Sequence, residues 1–429
     1  MLFCNIDILD ENLTYRRGCY VGVKGQKIAY IGEKMPGEDF GESYDGSGRL
    51  LMAGFVNTHS HSAMTLMRGY GENLALSDWL NRRIFPFEAK LDSEAIYNGT
   101  MLAAAEMLRF GIVSTTDMYY DIPATARAVQ ESGIKMNLSL GTTCFDDRDV
   151  EEVPAVQELL RCLPEYHNAF DGRLRLDASI HGEYTSTFKM VEGVAGIAKE
   201  KGLNMHVHLS ETRAEQEACK ERRGGRTPVR YFYDSGVFDV SATAAHCVWL
   251  EEDFELLAEK KVTAVNCPVS NLKLASGFCP VPRLLASGVR VALGTDGVAS
   301  NNNLNLMEEI KLYATLYKAT TGDPTTITAT QALRAATGAG ALAQGRTDCG
   351  ALKVGNRADL IVVDLQDRPY LRPCYDMVNN LVFSGVGTDV CLTMVDGRVL
   401  YREGIYTTID IERTVRNAEQ SIEKILRQL

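Results

Sequence analysis

The sequence is short of three features: basic charge, long apolar runs and paired cysteines. Lys and Arg number 45 against 56 Asp and Glu, which gives a formal net charge of −11. A surface that binds phosphate backbones needs a clustered excess of Lys and Arg. The one short basic stretch, residues 221–226, is interpreted as a solvated loop. We therefore expect no nucleic-acid partner.

Apolar runs are also too short for a membrane protein, since none approaches the ~18 residues that span a bilayer. The N-terminal residues carry an acid, Asp7, and lack the basic segment of a signal peptide. The 11 cysteines are odd in number and form no C-x-x-C pair, which is typical of reduced thiols. These absences predict a cytoplasmic protein without a membrane partner.

The two ends of the chain are rich in strand signals. Residues 20–32 alternate apolar and polar side chains, residues 358–364 form a buried-strand run, and residues 391–401 resemble a hairpin with Asp396-Gly397 at its turn. We expect residues 1–53 and 350–429 to pair into one small β-sandwich domain. A terminal amphipathic helix from about residue 412 is predicted by the helical spacing of Ile411, Val415, Ala418, Ile422, Ile425 and Leu426.

The middle of the chain, residues 54–349, alternates short apolar strands with longer amphipathic stretches. Eight such units predict an α/β fold, a (β/α)₈ TIM-type barrel, in which residues just past the strands line one mouth. The predicted strands are residues 51–57, 113–116, 136–141, 174–180, 204–208, 242–246, 262–266 and 289–294.

Histidines are few and clustered at strand ends. Of the 7 histidines, all except His167 fall at the carboxyl end of a predicted strand. In a strand, alternate residues face the same way, so His59 and His61 can bind one ion, and the pair His206 and His208 repeats this geometry. Asp296 lies at the end of the eighth strand, where an inward carboxylate needs a partner. Three imidazoles and one carboxylate suit Zn²⁺, with Fe²⁺ or Mn²⁺ as alternatives.

Several motifs then resemble the amidohydrolase superfamily, and within it the methylthioadenosine/S-adenosylhomocysteine deaminase branch. The resemblance runs from about residue 45 to residue 365. The motifs are residues 54–61 (GFVNTHSH), 64–70 (MTLMRGY), 79–80 (WL), 85–91 (FPFEAKL), 206–212 (HVHLSET), 245–247 (AHC), 266–277 (NCPVSNLKLASG) and 294–303 (GTDGVASNNN).

The resemblance implies one divalent metal held by His59, His61, His208 and Asp296. Relatives with two metals use a bridging lysine on the fourth strand, but residues 179–182 read SIHG here. A bound cation lowers the pKa of its water to roughly 7. The implied reaction is attack of this water on C6 of an adenosine-type nucleoside, giving the inosine-type product and ammonia.

Two further residues receive catalytic roles from the resemblance. Glu211 is the expected proton donor to N1 of the purine, and it would carry protons between water, ring and leaving ammonia. His246 would hydrogen-bond the attacking water and stabilise the tetrahedral intermediate. Asp296 would accept the proton of the water as well as bind the metal, and His206 is expected to support a ligand rather than to bind the ion.

Substrate contacts follow by the same resemblance. Glu88 would accept hydrogen bonds from the ribose hydroxyls, and Trp79 would cover the purine face. His181 and Ser300 are expected at the purine edge. Some relatives carry an arginine at the end of the third strand, where residues 138–143 read LSLGTT, which leaves Arg148 as the remaining cation for a charged tail. A smaller uncharged 5′ group is therefore favoured, as in 5′-deoxyadenosine, methylthioadenosine or adenosine, over S-adenosylhomocysteine.

Two alternatives stay open: another amidohydrolase, such as a guanine, cytosine or triazine deaminase or hydrolase, and a non-catalytic metal-binding barrel. A cytidine-deaminase fold is excluded, since Pro373-Cys374 is followed by Met377 where that fold needs cysteine. Residues 338–343 imitate the glycine-rich motif of a dinucleotide-binding site, but the strand that must precede this motif is absent from the sequence pattern. The apolar terminal helix favours a homo-oligomer. The 5′ substituent, the native metal and the oligomeric state are left open.

Overall fold

A computed structural model describes residues 1–74 and 76–429 of the chain. The strands are β1 (Leu2–Leu9), β2 (Tyr15–Lys24), β3 (Lys27–Gly32), β4 (Ser43–Asp45), β5 (Arg49–Ala53), β6 (Phe55–Ser60), β7 (Ile112–Tyr119), β8 (Lys135–Leu140), β9 (Leu174–Leu176), β10 (Ala178–Ile180), β11 (Met205–Leu209), β12 (Ala242–His246), β13 (Thr263–Asn266), β14 (Arg290–Leu293), β15 (Leu360–Asp364), β16 (Val390–Val395), β17 (Arg398–Arg402) and β18 (Ile405–Tyr406).

The α-helices are α1 (Leu76–Trp79), α2 (Phe85–Glu88), α3 (Ser93–Arg109), α4 (Ile122–Ser132), α5 (Pro154–Tyr166), α6 (Ala169–Gly172), α7 (Phe188–Lys201), α8 (Arg213–Arg222), α9 (Pro228–Asp234), α10 (Phe254–Glu259), α11 (Pro268–Lys273), α12 (Val281–Ala286), α13 (Leu306–Thr321), α14 (Ala329–Ala335), α15 (Gly338–Ala343), α16 (Met377–Ser384) and α17 (Ile411–Leu426). A π-helical turn spans Leu80–Ile84, and 3₁₀ turns span Ser62–Met67, Val150–Glu152, Glu183–Thr185, Val237–Asp239, Pro369–Leu371 and Gly387–Asp389.

The two ends of the chain form one nine-stranded sheet. Its order is β18-β17-β16-β15-β5-β1-β2-β3, with β4 paired to β1. The sheet has its own apolar core, which includes Ile6, Tyr44 and Leu360. The predicted hairpin is confirmed as β16 and β17, with the left-handed φ values of 49° at Asp396 and 74° at Gly397 that such a turn requires. Sequence-distant strands therefore share one sheet.

The middle of the chain forms parallel strands in chain order, joined by helices. They make a four-stranded sheet, β6-β7-β8-β9, and a five-stranded sheet, β10-β11-β12-β13-β14. The predicted strand 174–180 is divided at Asp177, because its first half pairs with β8 and its second half with β11. An isolated parallel bridge joins Ser60 to Asp296. The architecture is thus mixed α/β, with two parallel sheets and the nine-stranded sheet.

The predicted strand 51–57 is wrong as one element. Residues up to Ala53 belong to β5 in the nine-stranded sheet, and Phe55 begins β6 in the parallel sheet. Gly54 lies at the change of direction, where its N–H donates to the carbonyl of Asp359 at 2.9 Å. A Cβ at Gly54 would lie 2.3 Å from Cγ1 of Val113. Only a glycine, which has no Cβ, lets the backbone at this position lie so close to Val113 of the neighbouring strand.

The terminal helix is confirmed, and its buried face combines predicted apolar positions with polar ones that the spacing left out. The helix α17 packs against α3, and Val415 and Leu426 are 38% and 49% exposed. Ser421 faces α3 instead and accepts a hydrogen bond from the Asn98 amide at 3.1 Å. Small side chains let the helices approach closely, so tertiary packing also buries polar positions that the apolar spacing does not mark. The buried positions are Thr414, Ala418, Ser421 and Ile425.

The basic stretch at residues 221–226 is largely exposed, as expected, but two of its arginines also pair with a buried carboxylate. Arg222 Nη2 lies 2.6 Å from Glu183 Oε2, and Arg223 Nε lies 2.7 Å from Glu183 Oε1. Glu183 is fully buried. A buried carboxylate is costly unless it is paired, so these two partly exposed arginines also hold the loop after β10.

One buried ion cluster joins the parallel strands to the nine-stranded sheet. Lys135, at the start of β8, is fully buried and contacts the carboxylate of Asp359, just before β15. Its Nζ also lies 2.7 Å from Oδ1 of Asp396, in the hairpin turn. Arg357 lies 2.9 Å from the same oxygen. The cluster therefore fixes the hairpin against the beginning of a parallel strand.

The cysteines are unpaired thiols, as their odd number and spacing predict. All eleven cysteines lie within the described residues and are free thiols. None of the helices described for this chain combines the length and the apolar character that a membrane crossing needs.

Candidate active site

The carboxyl ends of the parallel strands gather the predicted polar residues. His59 lies in β6 and His61 directly after it, His208 lies in β11, and Asp296 follows β14. Parallel strands present their carboxyl ends at one face, so these sequence-distant residues meet there. The remaining histidines at this face are His181 after β10, His206 in β11 and His246 at the end of β12.

Three contacts that link four side chains are nearly equal in length. Asp296 Oδ1 is 3.4 Å from His59 Nε2 and 3.2 Å from His61 Nε2. His208 Nε2 is 3.3 Å from His61 Nε2. Ligand atoms about 2.1 Å from one tetrahedral zinc ion lie roughly 3.4 Å from one another. The spacing of these atoms therefore fits a single metal ion.

Backbone carbonyls orient two of the imidazoles. His61 Nδ1 lies 2.6 Å from the carbonyl oxygen of Met118, and His208 Nδ1 lies 2.7 Å from that of His181. A carbonyl can only accept, so each Nδ1 carries the proton and each Nε2 presents a lone pair. This is the tautomer that a metal ligand needs.

His59 is oriented by a second histidine. Its Nδ1 lies 2.9 Å from Nε2 of His206, and both residues are fully buried. His59 Nε2 is buried and has no hydrogen-bond partner among residues 1–74 and 76–429. A buried nitrogen without a partner is costly, and a cation is the ligand that a lone pair at this position fits.

Asp296 is held as a carboxylate by several donors. The Gly297 N–H donates to Oδ1 at 2.8 Å, and the hydroxyls of Ser270 and Ser300 donate to Oδ2 at 2.6 and 2.8 Å. Burial raises the pKa of Asp296, but the contacts with His59 and His61 outweigh it and hold the pKa well below the usual range. The structure thus places Ser300 on the carboxylate.

Burial lowers the pKa of the imidazoles, and at one of them a nearby carboxylate outweighs this effect. Burial lowers the pKa of His59 to about 3 and that of His208 well below its usual range, so both stay neutral. Burial lowers the pKa of His61 as well, but the contact with Asp296 outweighs it and gives about 9. A bound cation would replace that proton, since only a neutral imidazole can be a ligand.

Glu211 and His246 face each other beside this cluster. Glu211 Oε2 lies 3.8 Å from His246 Nε2, and His246 Nδ1 lies 2.9 Å from Oδ1 of Asn271. Burial raises the pKa of the Glu211 carboxyl, although His246 opposes the shift. The backbone N–H of Glu211 donates to Glu215 at 2.7 Å. A buried carboxyl with a raised pKa can hold and release a proton near neutral pH.

The predicted substrate residues lie around the same mouth. Trp79 ends α1 and is 6% exposed, and Glu88 ends α2 and is half-buried. Glu88 Oε2 accepts a hydrogen bond from the Tyr120 hydroxyl at 3.2 Å, and burial raises the Glu88 pKa. The His181 ring lies 4.7 Å from that of His208, and burial lowers the His181 pKa to about 4.

Arg148, a predicted substrate-binding residue, forms an ion pair with Asp146. Its Nη2 and Nε lie 2.6 and 2.7 Å from the two carboxylate oxygens of Asp146, and the side chain is 45% exposed. A bidentate ion pair of this kind uses two parallel N–H donors at the edge of the guanidinium. Arg148 is thus occupied by a neighbour two positions earlier in the chain.

The sequence interpretation missed three supporting residues. Ser270 and Asn271 lie on α11 and bind Asp296 and His246, respectively. Asp117, on β7, accepts hydrogen bonds from Ser60 and Ser62 at 3.0 and 2.6 Å. The available signal for Ser270 and Asn271 was their place in the motif at residues 266–277. Their partners lie far away in the chain, so spacing alone does not reveal the contacts.

A buried cluster of imidazoles and a carboxylate, at the carboxyl ends of parallel strands, defines the class of metal-dependent hydrolases with a mixed α/β fold. The amidohydrolase family model matches residues 50–400 of this chain. The chain belongs to the amidohydrolase family.

Named relatives narrow the comparison. A 5′-deoxyadenosine deaminase of Methanosarcina acetivorans is 42% identical over 407 residues, which cover 95% of this chain and 93% of the relative. A 5-methylthioadenosine/S-adenosylhomocysteine deaminase of Pelotomaculum thermopropionicum is 40% identical over 95% of this chain and 94% of its own length. The crystal structure of an adenosine deaminase from Xanthomonas campestris with bound zinc superposes with a TM-score of 0.91 at 30% identity, covering 100% of this chain and 98% of that chain.

Proposed function

We propose that this protein is a metal-dependent hydrolase that deaminates an adenosine-type nucleoside at C6, with the inosine-type nucleoside and ammonia as products. The observation that carries the proposal is the position of Glu211 and His246 beside His59, His61, His208 and Asp296, of which the three histidines form one group and Asp296 contacts two of them. Relatives that span 95% of the chain carry the names of deaminases with this kind of substrate.

One divalent cation, Zn²⁺ first and Fe²⁺ or Mn²⁺ as alternatives, is the proposed cofactor, held by His59, His61, His208 and Asp296. Three imidazole nitrogens and one carboxylate oxygen are ligands that zinc prefers, and the solved relative from Xanthomonas campestris holds zinc. A cation bound there supplies a water acidic enough to act as a nucleophile near neutral pH.

The residues of the chain then move the protons. Asp296 accepts a proton from the attacking water as the new C6–O bond forms. Glu211, whose pKa burial raises, donates a proton to N1, so that the purine ring takes up the electron pair of its C6–N1 double bond. His246 hydrogen-bonds the oxygen at C6. A proton passed to the exocyclic amine lets the C6–N bond break, and ammonia leaves.

The substrate lies along the mouth from the cluster to Glu88. Glu88 accepts hydrogen bonds from the ribose hydroxyls, Trp79 covers the purine, and His181 reaches the purine edge. His181 Nδ1 is buried and, within the part of the chain that the structure describes, has no hydrogen-bond partner, so a purine nitrogen is a suitable one. Ser300 acts through Asp296, to which it donates a hydrogen bond.

The preferred 5′ group is small and uncharged. A charged amino-acid tail, as in S-adenosylhomocysteine, needs cations and anions of the protein opposite it. Arg148 is paired with Asp146, and the third strand ends in residues 138–143 without an arginine. We therefore rank 5′-deoxyadenosine, methylthioadenosine and adenosine above S-adenosylhomocysteine.

We propose that the two parallel sheets make one eight-stranded (β/α)₈ barrel of residues 54–349, because the bridge between Ser60 and Asp296 joins their outer strands. Residues 1–53 and 350–429 make the small domain. Its register shifts, as between Phe3 and Ile6, bend strands as bulges do and let the nine-stranded sheet close on its own core as a β-sandwich.

An ammonia-release assay of the zinc-loaded protein tests the proposal. The substrates are adenosine, 5′-deoxyadenosine, methylthioadenosine, S-adenosylhomocysteine, guanine and cytosine. We expect release from the three uncharged nucleosides, with a lower kcat/KM for S-adenosylhomocysteine. Glu88→Ala should raise KM for these nucleosides, since the ribose loses its acceptor. Release from guanine or cytosine alone would overturn the nucleoside assignment.

A further inference from the structure

Tyr119 carries a buried hydroxyl that the fold leaves unused. The residue is the last of β7 and is 3% exposed. Among residues 1–74 and 76–429, its Oη has no hydrogen-bond partner. Leaving a buried hydroxyl unsatisfied costs about 1–3 kcal/mol, so its usual explanation is a ligand, a solvent molecule or a functional role.

The position of Tyr119 points to the substrate as that ligand. Its ring centroid lies 6.3 Å from that of His61, in the metal cluster, and 4.7 Å from that of Tyr120. Tyr120 donates a hydrogen bond to Glu88 at 3.2 Å. Tyr119 therefore lies between the cluster and the carboxylate to which the proposed function assigns the ribose.

Glu88 and Tyr119 have complementary hydrogen-bonding chemistry. Glu88 lies close to Tyr119, since its charge and a weak hydrogen-bonding contact raise the pKa of the Tyr119 hydroxyl after the larger effect of burial. The contact is not a hydrogen bond of ordinary geometry, and the Tyr119 hydroxyl has no such bond within the described residues. A carboxylate only accepts, and a protonated phenol can donate. A sugar hydroxyl donates and accepts at once, so it can bridge two such groups across a gap.

We infer that Tyr119 is a substrate-binding residue whose hydroxyl donates to one ribose hydroxyl, while the same ribose hydroxyl donates to Glu88. The inference rests on the proposed function, since it needs a nucleoside in the site. It adds a contact that selects ribose over a deoxyribose and leaves the reacting atoms at C6 untouched.

The test pairs one protein change with one substrate change. Tyr119→Phe removes only the phenolic oxygen, and steady-state kinetics are measured on adenosine, 2′-deoxyadenosine and 3′-deoxyadenosine. We expect kcat/KM on adenosine to fall about tenfold, the size of one neutral hydrogen bond, mainly through KM. On the deoxynucleoside that lacks the bridging hydroxyl, the variant and the unaltered protein should agree within about twofold.

Tyr231→Phe is the matched control. Tyr231 lies on α9, is 1% exposed, and its hydroxyl likewise has no hydrogen-bond partner in the described parts of the chain. The control should keep the kinetics on all three nucleosides. A thermal unfolding midpoint of Tyr119→Phe close to that of the unaltered protein shows that the fold is kept.

Three outcomes would overturn the inference. An equal loss on all three nucleosides would make Tyr119 a purely structural residue, and no loss on any would leave its hydroxyl without a role in binding. The bridge would also be contradicted if the unaltered protein had equal kcat/KM values on adenosine and on both deoxynucleosides. This comparison needs no variant. Failure of the unaltered protein to deaminate adenosine, 5′-deoxyadenosine and methylthioadenosine alike would instead overturn the proposed function, and the inference with it.

Discussion

His59 Nδ1 lies 2.9 Å from Nε2 of His206, in two strands that are distant in the sequence. The contact orients the His59 ring, whose Nε2 lies 3.4 Å from Asp296. A cation ligand at Nε2 requires the His59 proton on Nδ1, where His206 Nε2 can accept it. Groups that orient a ligand from behind contribute strongly to metal affinity. His206 therefore contributes to the candidate metal site without offering an atom to the ion.

Removing the His206 acceptor should weaken metal binding. His206→Leu is expected to lower zinc affinity about 10–100-fold, because His59 loses the partner that fixes its tautomer and orientation. Competition with a chromogenic chelator measures the affinity. His206→Gln, whose side-chain oxygen can accept in place of Nε2, should recover part of the loss. His167→Leu, at the one histidine that does not lie at this mouth, is the control, and a His206→Leu protein that binds zinc as tightly as this control would contradict the account.

Neutralising Glu211 should separate proton transfer from metal binding. Glu211→Gln cannot exchange a proton with N1, so kcat should fall by at least about 100-fold. Zinc content, measured by inductively coupled plasma spectrometry, should stay at that of the unaltered protein, since Glu211 is not a proposed ligand. Glu217→Gln, on the exposed side of α8, should keep kcat. A Glu211→Gln protein with a kcat within a few-fold of normal would exclude Glu211 as the proton donor.

The buried Lys135 should be essential for stability. Lys135→Met leaves the carboxylates of Asp359 and Asp396 buried without their shared cation, which costs about 3–5 kcal/mol of unfolding free energy. Urea unfolding followed by circular dichroism gives the difference. Lys189→Met removes an exposed ion pair with Asp149 and should cost about 0–1 kcal/mol. Equal small losses for both variants would mean that the buried cluster does not join the sheets.

Glu309 should make the protein less stable as the pH rises. Burial raises its pKa to about 8 from the ordinary 4.5. Between these values the folded chain keeps a proton that the unfolded chain has lost. The free energy of unfolding therefore falls with rising pH, by up to roughly 1.4 kcal/mol per pH unit from this group.

The variant Glu309→Gln isolates this effect. The amide cannot ionise, so the difference in unfolding free energy between the variant and the unaltered protein should shift in favour of the variant from pH 5 to pH 8. Urea unfolding at several pH values in this interval measures that difference. A difference that stays constant with pH would show that Glu309 ionises normally in the folded chain.

Much of the candidate site could be predicted from local patterns. The alternation of His59 and His61, and their place at a strand end, were enough to expect them at one mouth, because parallel strands align their carboxyl ends. The same logic placed His208 and Asp296. Strand periodicity contains this information, since it identifies both the face of a side chain and the end of the element.

Other features depend on contacts that periodicity does not contain. Gly54 divides the predicted strand 51–57 because Val113 of another strand lies against it. In α17, Ser421 is buried in place of Val415 because α3 packs closely there. The bond between Ser270 and Asp296 joins residues 26 positions apart. Each of these outcomes is decided by a neighbour that is distant in sequence.

The central claim is that one cation is held by His59, His61, His208 and Asp296, and a crystal structure of the zinc-loaded protein tests it most directly. Diffraction data collected above and below the zinc absorption edge locate the metal. The account predicts one anomalous peak about 2.0–2.2 Å from Nε2 of each of the three histidines and from a carboxylate oxygen of Asp296. The absence of a peak there, or a peak that any of the four side chains does not reach, would contradict it.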